Sequence, residues 1–269
     1  MSQEQQTFTH TVSKGSRYNQ IYVPRSMELQ FEAGDLVEVR LVKKKTSLYY
    51  SPASWSISKF KIRLIMEVFE FLSRYKEIEQ IIFFGSFLTK EVQYRDIDIF
   101  IIYEKTRIEI EEKIKKSLEE EFSLKFHIIS ATKEELEDSL EYSPLGRSML
   151  FYCVSDKPLP QMKERKIKKD HIRFLLMMPE DLIALETMLK SRAYYDALRK
   201  VLIIKKFLKK EKEDSKEVQK KIEKRIGKEI TEKIMQDEVI TLEEWTTIKK
   251  EMSKEIKEVY DILKKVKDE

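Results

Sequence analysis

Ile81-Ile82-Phe83-Phe84-Gly85-Ser86, followed about ten positions later by Asp96-Ile97-Asp98-Ile99-Phe100-Ile101-Ile102, is the stretch that decides the fold. The first run is apolar throughout and stops at Gly-Ser, the pattern of a buried strand ending in a turn. A strand that turns into a helix at Gly85-Ser86 presents backbone N–H groups and a hydroxyl at a helix start, where phosphates bind. In the second run, strand alternation sends Asp96 and Asp98 to one side and Ile97 and Ile99 into the core. Two carboxylates aimed at one point repel each other unless a cation joins them, and Mg²⁺ is a hard ion that prefers oxygen. Metal ions there could stabilise the attacking and leaving oxygens of a displacement at an α-phosphorus.

Helical and strand patterns alternate around this stretch. Residues 57–75 carry Ile57, Phe60, Leu64, Ile65, Val68, Phe69 and Leu72 at helical spacing. Gln80 to Phe84 and Asp96 to Tyr103 are strands, Ile108 to Phe122 is a helix, and Leu124 to Ile129 is a third strand. Thr132 with Glu135 forms a capping box that opens another helix. Residues 56–160 thus predict a small α/β layer with a mixed sheet.

Residues 161–269 read as a helical domain of three to five helices. Pro179 suits a first helical turn, and the apolar-periodic segment running to Leu208 should break near Ser191 to Tyr195. Thr241 and Glu244 make a second capping box. Beyond it Trp245, Ile248, Met252, Ile256, Val259, Leu263 and Val266 trace one face. The run KERKIKK at 163–169 reads as a solvated linker rather than a nucleic-acid patch.

Residues 1–50 read as short β structure: Gln20 to Val23, stopped by Pro24, and Leu36 to Val42, alternating after the Gly34-Asp35 turn. A unit this small buries too little by itself and needs a disulfide, a metal or a partner chain. Cys153 is the single cysteine, so no intramolecular disulfide exists; its apolar surroundings predict a buried structural thiol. Dimerisation is the expected remedy.

Composition narrows the classes further. The chain of 269 residues is 41% hydrophobic, enough for real cores, and 37% charged, but its charges nearly cancel at +4. Bulk charge therefore names no partner. The Lys and Glu excess fits solvated helix faces and is also the lean of hyperthermophile proteins. No secretory signal and no run long enough to span a bilayer is visible, so a soluble cytoplasmic protein is expected. Only five glycines are present, and neither a G-x-x-x-x-G-K-[ST] phosphate loop nor a G-x-G-x-x-G dinucleotide turn occurs.

An apolar strand ending in Gly85-Ser86, a spacer of about ten, then Asp96-Ile97-Asp98 and three apolar residues resembles the polymerase-β-like nucleotidyltransferase superfamily, in its minimal or kanamycin-nucleotidyltransferase-like branch. The resemblance covers about residues 58–155. It implies that Gly85 and Ser86 bind nucleotide phosphates, and that Asp96 and Asp98 bind Mg²⁺ or Mn²⁺ and carry catalysis. The implied reaction moves a nucleoside monophosphate, with ATP as the expected NTP, to an acceptor bound between the α/β domain and the helices. Active members usually add a third carboxylate from a neighbouring strand, and the matching strand here, Ser123 to Ile129, holds none. Lys125 and His127 share one face of it, as a phosphate contact and as a base or ligand, although His127 capping or packing at the sheet edge is the plainer reading. Arg95 stands where a small hydroxyl residue is common, and either a phosphate or Glu91 could be its partner.

The segment VSKGSRYNQIYVPRSMELQFEAGDLVEVRLV resembles AbrB/SpoVT-type swapped-hairpin domains, at Gly15, Ile21-Tyr22-Val23-Pro24 with Arg25, and Ala33-Gly34-Asp35-Leu36-Val37-Glu38-Val39. That resemblance implies a homodimer of interleaved hairpins, with Lys14, Arg17 and Arg25 as candidate DNA phosphate contacts. A dimerisation module without DNA binding is the plainer alternative. The expected whole is an α+β chain: a swapped-hairpin module (1–50), a nucleotidyltransferase domain (56–160) and a helical domain (161–269). Two other functions fit the residues: a degenerate, dimeric DNA-binding regulator that senses nucleotide without chemistry, and an antitoxin-like protein.

Overall fold

A computed structural model describes residues 8–27, 30–32, 34–40, 46–51, 57–89, 94–105 and 108–266. The chain divides into two compact units, 1–45 and 46–269.

The first unit holds a minimal antiparallel hairpin, β1 (Ser13–Lys14) against β2 (Asn19–Gln20), with Ser13 opposite Gln20 and Lys14 opposite Asn19. The Gly15 N–H donates to the Tyr18 carbonyl at 3.1 Å, closing the turn. A short 3-10 helix, Arg25–Met27, follows Pro24. At Gly34 the chain turns with φ +109°, and the Glu32 N–H donates to Asp35 Oδ2 at 2.7 Å. The strand expected over Gln20 to Val23 ends at Gln20, and residues 36–40 form no strand; 41 and 42 lie outside the described residues. Among the described residues no partner strand lies beside these segments: Tyr18, Tyr22, Leu36, Val37 and Val39 all stand more than half exposed, and an extended segment without a neighbour gains no ladder hydrogen bonds.

The second unit is built on a sheet of five strands: β3 (Tyr49–Tyr50), β4 (Ile78–Phe84), β5 (Ile97–Tyr103), β6 (Phe126–Thr132) and β7 (Cys153–Ser155). Their spatial order is β3-β7-β4-β5-β6. The β5–β6 pair is parallel and the other pairs are antiparallel, so the sheet is mixed. The parallel pair follows from the crossover through helix α2 (Ile108–Phe122), since parallel neighbours cannot be joined by a tight hairpin.

Helix α1 (Lys59–Leu72) starts where the Ser58 hydroxyl accepts from the Lys61 N–H. It covers one sheet face together with α2, packing Leu64, Ile65, Val68 and Ile114 onto Phe83, Ile97, Ile99, Ile101 and Val154. The opposite face, with Ile82, Phe84, Phe100 and Ile102, is covered by α3 (Lys133–Tyr142) and α4 (Pro144–Phe151). The expected capping box between Thr132 and Glu135 opens α3. Cys153 is buried in β7, and burial pushes its thiol up to about 12, so it is inert.

Five helices follow among the described residues: α5 (Lys169–Ala184), α6 (Ser191–Leu208), α7 (Ser215–Ile226), α8 (Lys228–Met235) and α9 (Leu242–Lys265). Helix α6 runs through the middle, burying Tyr194, Leu198, Val201, Ile204 and Phe207 against Ile248, Met252 and Val259 of α9. Pro179 lies in the interior of α5, not in its first turn. Ile172, Leu176, Pro179 and Leu182 form one buried stripe, and that burial sustains the helix past the hydrogen bond that proline cannot make. The break before α6 falls at residues 185–190, just ahead of the expected position.

The basic run at 163–169 is not a free linker. Lys163 and Lys166 pair with Glu141, and Arg165 pairs at 3.1 Å with Glu213, which also faces Arg147 at 3.4 Å. Acids from two directions pair with three of its cations and tie the sheet layer to the helical bundle. The Tyr152 hydroxyl adds a 2.7 Å bond to Asp214, the N-cap of α7.

Candidate active site

The strand β5 begins immediately after Asp96, so Asp98 occupies its second position, directly opposite Phe84 of β4 and level with His127 of β6. Ile97 and Ile99 are fully buried under α1 and α2. Asp98 therefore projects to the other face, beyond the end of the core that holds Phe84 and Phe100. Asp96, two residues back, is partly exposed.

Gly85 takes φ +80°, ψ −160°, a conformation L side chains rarely adopt, and the Asp98 carboxylate occupies the space where a Cβ would stand. The tight turn and the aspartate are thus in direct contact. After Gly85 the chain makes a three-residue 3-10 turn, Ser86–Leu88, rather than the longer helix the pattern suggested. Ser86 is exposed, and its carbonyl accepts from the N–H and hydroxyl of Thr89 at 3.0 and 2.8 Å. Lys61, buried in α1, donates to the Thr89 carbonyl at 2.9 Å and stands 5.3 Å over the rings of Phe87 and Tyr94.

His127 Nδ1 lies 3.0 Å from Asp98 Oδ1. The histidine side chain is 57% exposed and the aspartate 18%, so one face of the imidazole is open to an incoming group. Burial holds the Asp98 carboxyl above the ordinary carboxylate value; the His127 hydrogen bond opposes this, Asp96 adds like-charge repulsion, and Arg199 of α6 pulls the other way. The two aspartates therefore feel one another, and the helical bundle supplies a cation to the same neighbourhood. Arg95 is exposed and stands 3.9 Å from Asp237, just beyond α8; Glu91 lies outside the described residues. Lys125 is exposed at the foot of β6, where its carbonyl accepts from the Ile97 N–H, and it makes no ion pair among the described residues.

Among the described residues no group of three or more His, Cys, Asp or Glu side chains is arranged to hold a metal. A pair of carboxylates, one raised by burial and like charge, fits a cation shared with a bound polyphosphate, because Mg²⁺ usually takes one or two carboxylates plus substrate oxygens.

Residues 67–157 match the family model for polymerase beta, nucleotidyltransferase. The match spans about a third of the chain, from the middle of α1 through β7. This segment has a nucleotidyltransferase fold of the polymerase-β-like superfamily. No curated protein and no solved structure matches the chain. No helix among the described residues is long and apolar enough to cross a membrane.

Within the matched segment, Gly85, Asp98 and His127 meet at one end of strands β4, β5 and β6, with Asp96 beside them. Lys14, Arg17 and Arg25 belong to the first unit, on β1, in the hairpin turn and in the 3-10 helix, all exposed. Sequence reasoning did not find Arg199. It lies more than a hundred residues from Asp98, and its periodic helix carries no mark setting it apart from neighbouring cations.

Proposed function

We propose that this chain is a metal-dependent nucleotidyltransferase that moves a nucleoside monophosphate, AMP from ATP in the first instance, to a hydroxyl acceptor. The contact of Asp98 with Gly85 on one side and His127 on the other carries the reading. Asp96 and Asp98 would hold Mg²⁺ or Mn²⁺, and when bound the ion supplies charge stabilisation to the phosphates. Gly85 and Ser86 would meet the phosphate chain, and Arg199 would neutralise part of its charge from the helical side. The acceptor oxygen attacks the α-phosphorus, the bond to the α,β-bridging oxygen breaks, and pyrophosphate leaves.

His127 stands in for the third carboxylate. In the tautomer that carries its proton on Nδ1, toward Asp98 3.0 Å away, Nε2 is the nitrogen that would take the acceptor's proton. A second reading, a nucleotide-sensing regulator without chemistry, is favoured by the same substitution of histidine for an acid.

The exposed apolar residues of the first unit, Tyr22, Leu36 and Val39 among them, support homodimerisation through that unit. Lys14, Arg17 and Arg25 would make its DNA phosphate contacts.

Incubation with each α-labelled NTP and Mg²⁺ or Mn²⁺ tests the enzymatic reading. Pyrophosphate release or self-labelling that vanishes in Asp96→Ala/Asp98→Ala is the expected result. Equal behaviour of wild type and the double variant rejects it in favour of the regulator.

A further inference from the structure

Away from the aspartates, a cavity of about 540 Å³ opens in the helical bundle at the C-terminal end of α6, beside α7 and α9. Six cations line it, Lys205, Lys206 and Lys209 from the α6 end and Lys221, Lys224 and Arg225 from α7, against the two acids Glu211 and Glu258. The cations differ in how far they are satisfied. Lys205 is held by Glu255 at 2.6 Å, and Lys206, 3% exposed, by Glu217 at 2.6 Å. Arg225 reaches Glu255 at 2.8 Å, and Lys221 reaches Glu211 at 3.5 Å. Lys209 and Lys224 are exposed at the rim and make no ion pair with a described residue.

The end of α6 accounts for little of this charge. Four of the six are already paired with carboxylates, and a helix C-terminus carries only roughly half a negative charge, so Lys209 and Lys224 are the cations left over. Glu211 sits among these cations: burial pulls its carboxyl up, yet its partners Lys221 and Lys206 outweigh that and hold it below the ordinary range. The volume falls in the range of about 300–1,000 Å³ typical of small-molecule sites, more than a single phosphate needs.

We propose that this cavity is a second anion site, separate from Asp96 and Asp98, which takes clustered phosphoryl groups without a metal. The phosphates would belong to a free nucleotide or to a nucleic-acid strand. Arg199, the α6 residue that influences Asp98, lies seven residues before Lys206 and ten before Lys209. At the helical rise that is about 10–15 Å along α6, two to three turns from the residue that influences Asp98.

The test is calorimetric titration of the full chain with tripolyphosphate in EDTA, where a metal-dependent site stays silent. Saturable binding is expected that Asp96→Asn/Asp98→Asn leaves unchanged, Lys209→Gln/Lys224→Gln weakens at least tenfold, and Lys209→Glu/Lys224→Glu abolishes. Both lysines are exposed, and a circular dichroism melt of each variant verifies folding. A single-stranded oligonucleotide that displaces tripolyphosphate assigns the phosphates to nucleic acid. Displacement by ATP alone assigns them to a nucleotide. Absent saturable binding, binding lost in the aspartate variant, or binding within twofold of wild type in Lys209→Glu/Lys224→Glu overturns the proposal.

Discussion

His127 Nδ1 lies 3.0 Å from Asp98 Oδ1 across the parallel β5–β6 pair, in a register that sets the two residues side by side. An exposed imidazole oriented by a half-buried carboxylate is arranged to accept a proton. His127→Ala should therefore lower kcat by about 10² or more while shifting the melting temperature little, because most of its side chain is already in water. Steady-state kinetics beside a melt check this. Unchanged kcat would remove His127 from the chemistry.

Asp98 bears on stability through pH. Its folded value lies above its unfolded one, because burial and Asp96 disfavour the ionised form more than His127 and Arg199 favour it. Its contribution to stability is then full below the unfolded value and is lost as pH rises through the folded value. Asp98→Asn should accordingly be more stable than wild type at pH 7, with the difference closing as the pH falls below the carboxylate range. Urea denaturation across that range measures it, and a variant less stable at pH 7 would contradict the assignment.

Gly85→Ala places a methyl group on the Asp98 carboxylate and forces alanine to φ +80°. A loss of about 1–3 kcal/mol is expected, together with activity, since the carboxylate must move. Retained stability with lost activity would show that the turn relaxes and the site does not.

Glu213 faces Arg147 and Arg165 with its side chain only 5% exposed. Glu213→Ala leaves two guanidinium groups without their counter-charge and should cost about 3–5 kcal/mol in chemical denaturation. Arg147→Met/Glu213→Leu should recover part of that loss. A cost below about 1 kcal/mol would mean that water reaches the cluster.

Sedimentation of the full chain tests the first unit. A dimer is expected that Leu36→Glu/Val39→Glu converts to monomer, because both side chains lie in water in the single chain. A monomeric wild type would leave those residues without the proposed partner.

The elements legible from the residues were those whose pattern is local. β4 ends in the apolar run Ile81–Phe84, β5 is apolar apart from Asp98, α2 matches its expected ends, and both capping boxes lie where Thr and Glu sit three apart. β6 runs later than expected, Phe126–Thr132 in place of Leu124–Ile129, because its pairing with β5 fixes its length. β7 has three residues, too few for any periodic signal, yet it sits between β3 and β4 in the sheet. Pro179 misled because a proline's local preference gave way to the buried stripe around it.

From residue order alone came the chemical inventory: two aspartates in alternate strand positions after a Gly-Ser turn, a neighbouring strand with a histidine and no acid, and a helical C-terminal half. Alternation and periodicity are properties of a chain segment, so they survive without knowledge of its neighbours. Only the assembled sheet brought Gly85 onto the Asp98 carboxylate and levelled His127 with it, and only the packing of α6 delivered Arg199 and gathered six cations around one cavity. Those contacts join residues far apart in the chain, and their distances follow from strand order and helix packing, which no local pattern encodes.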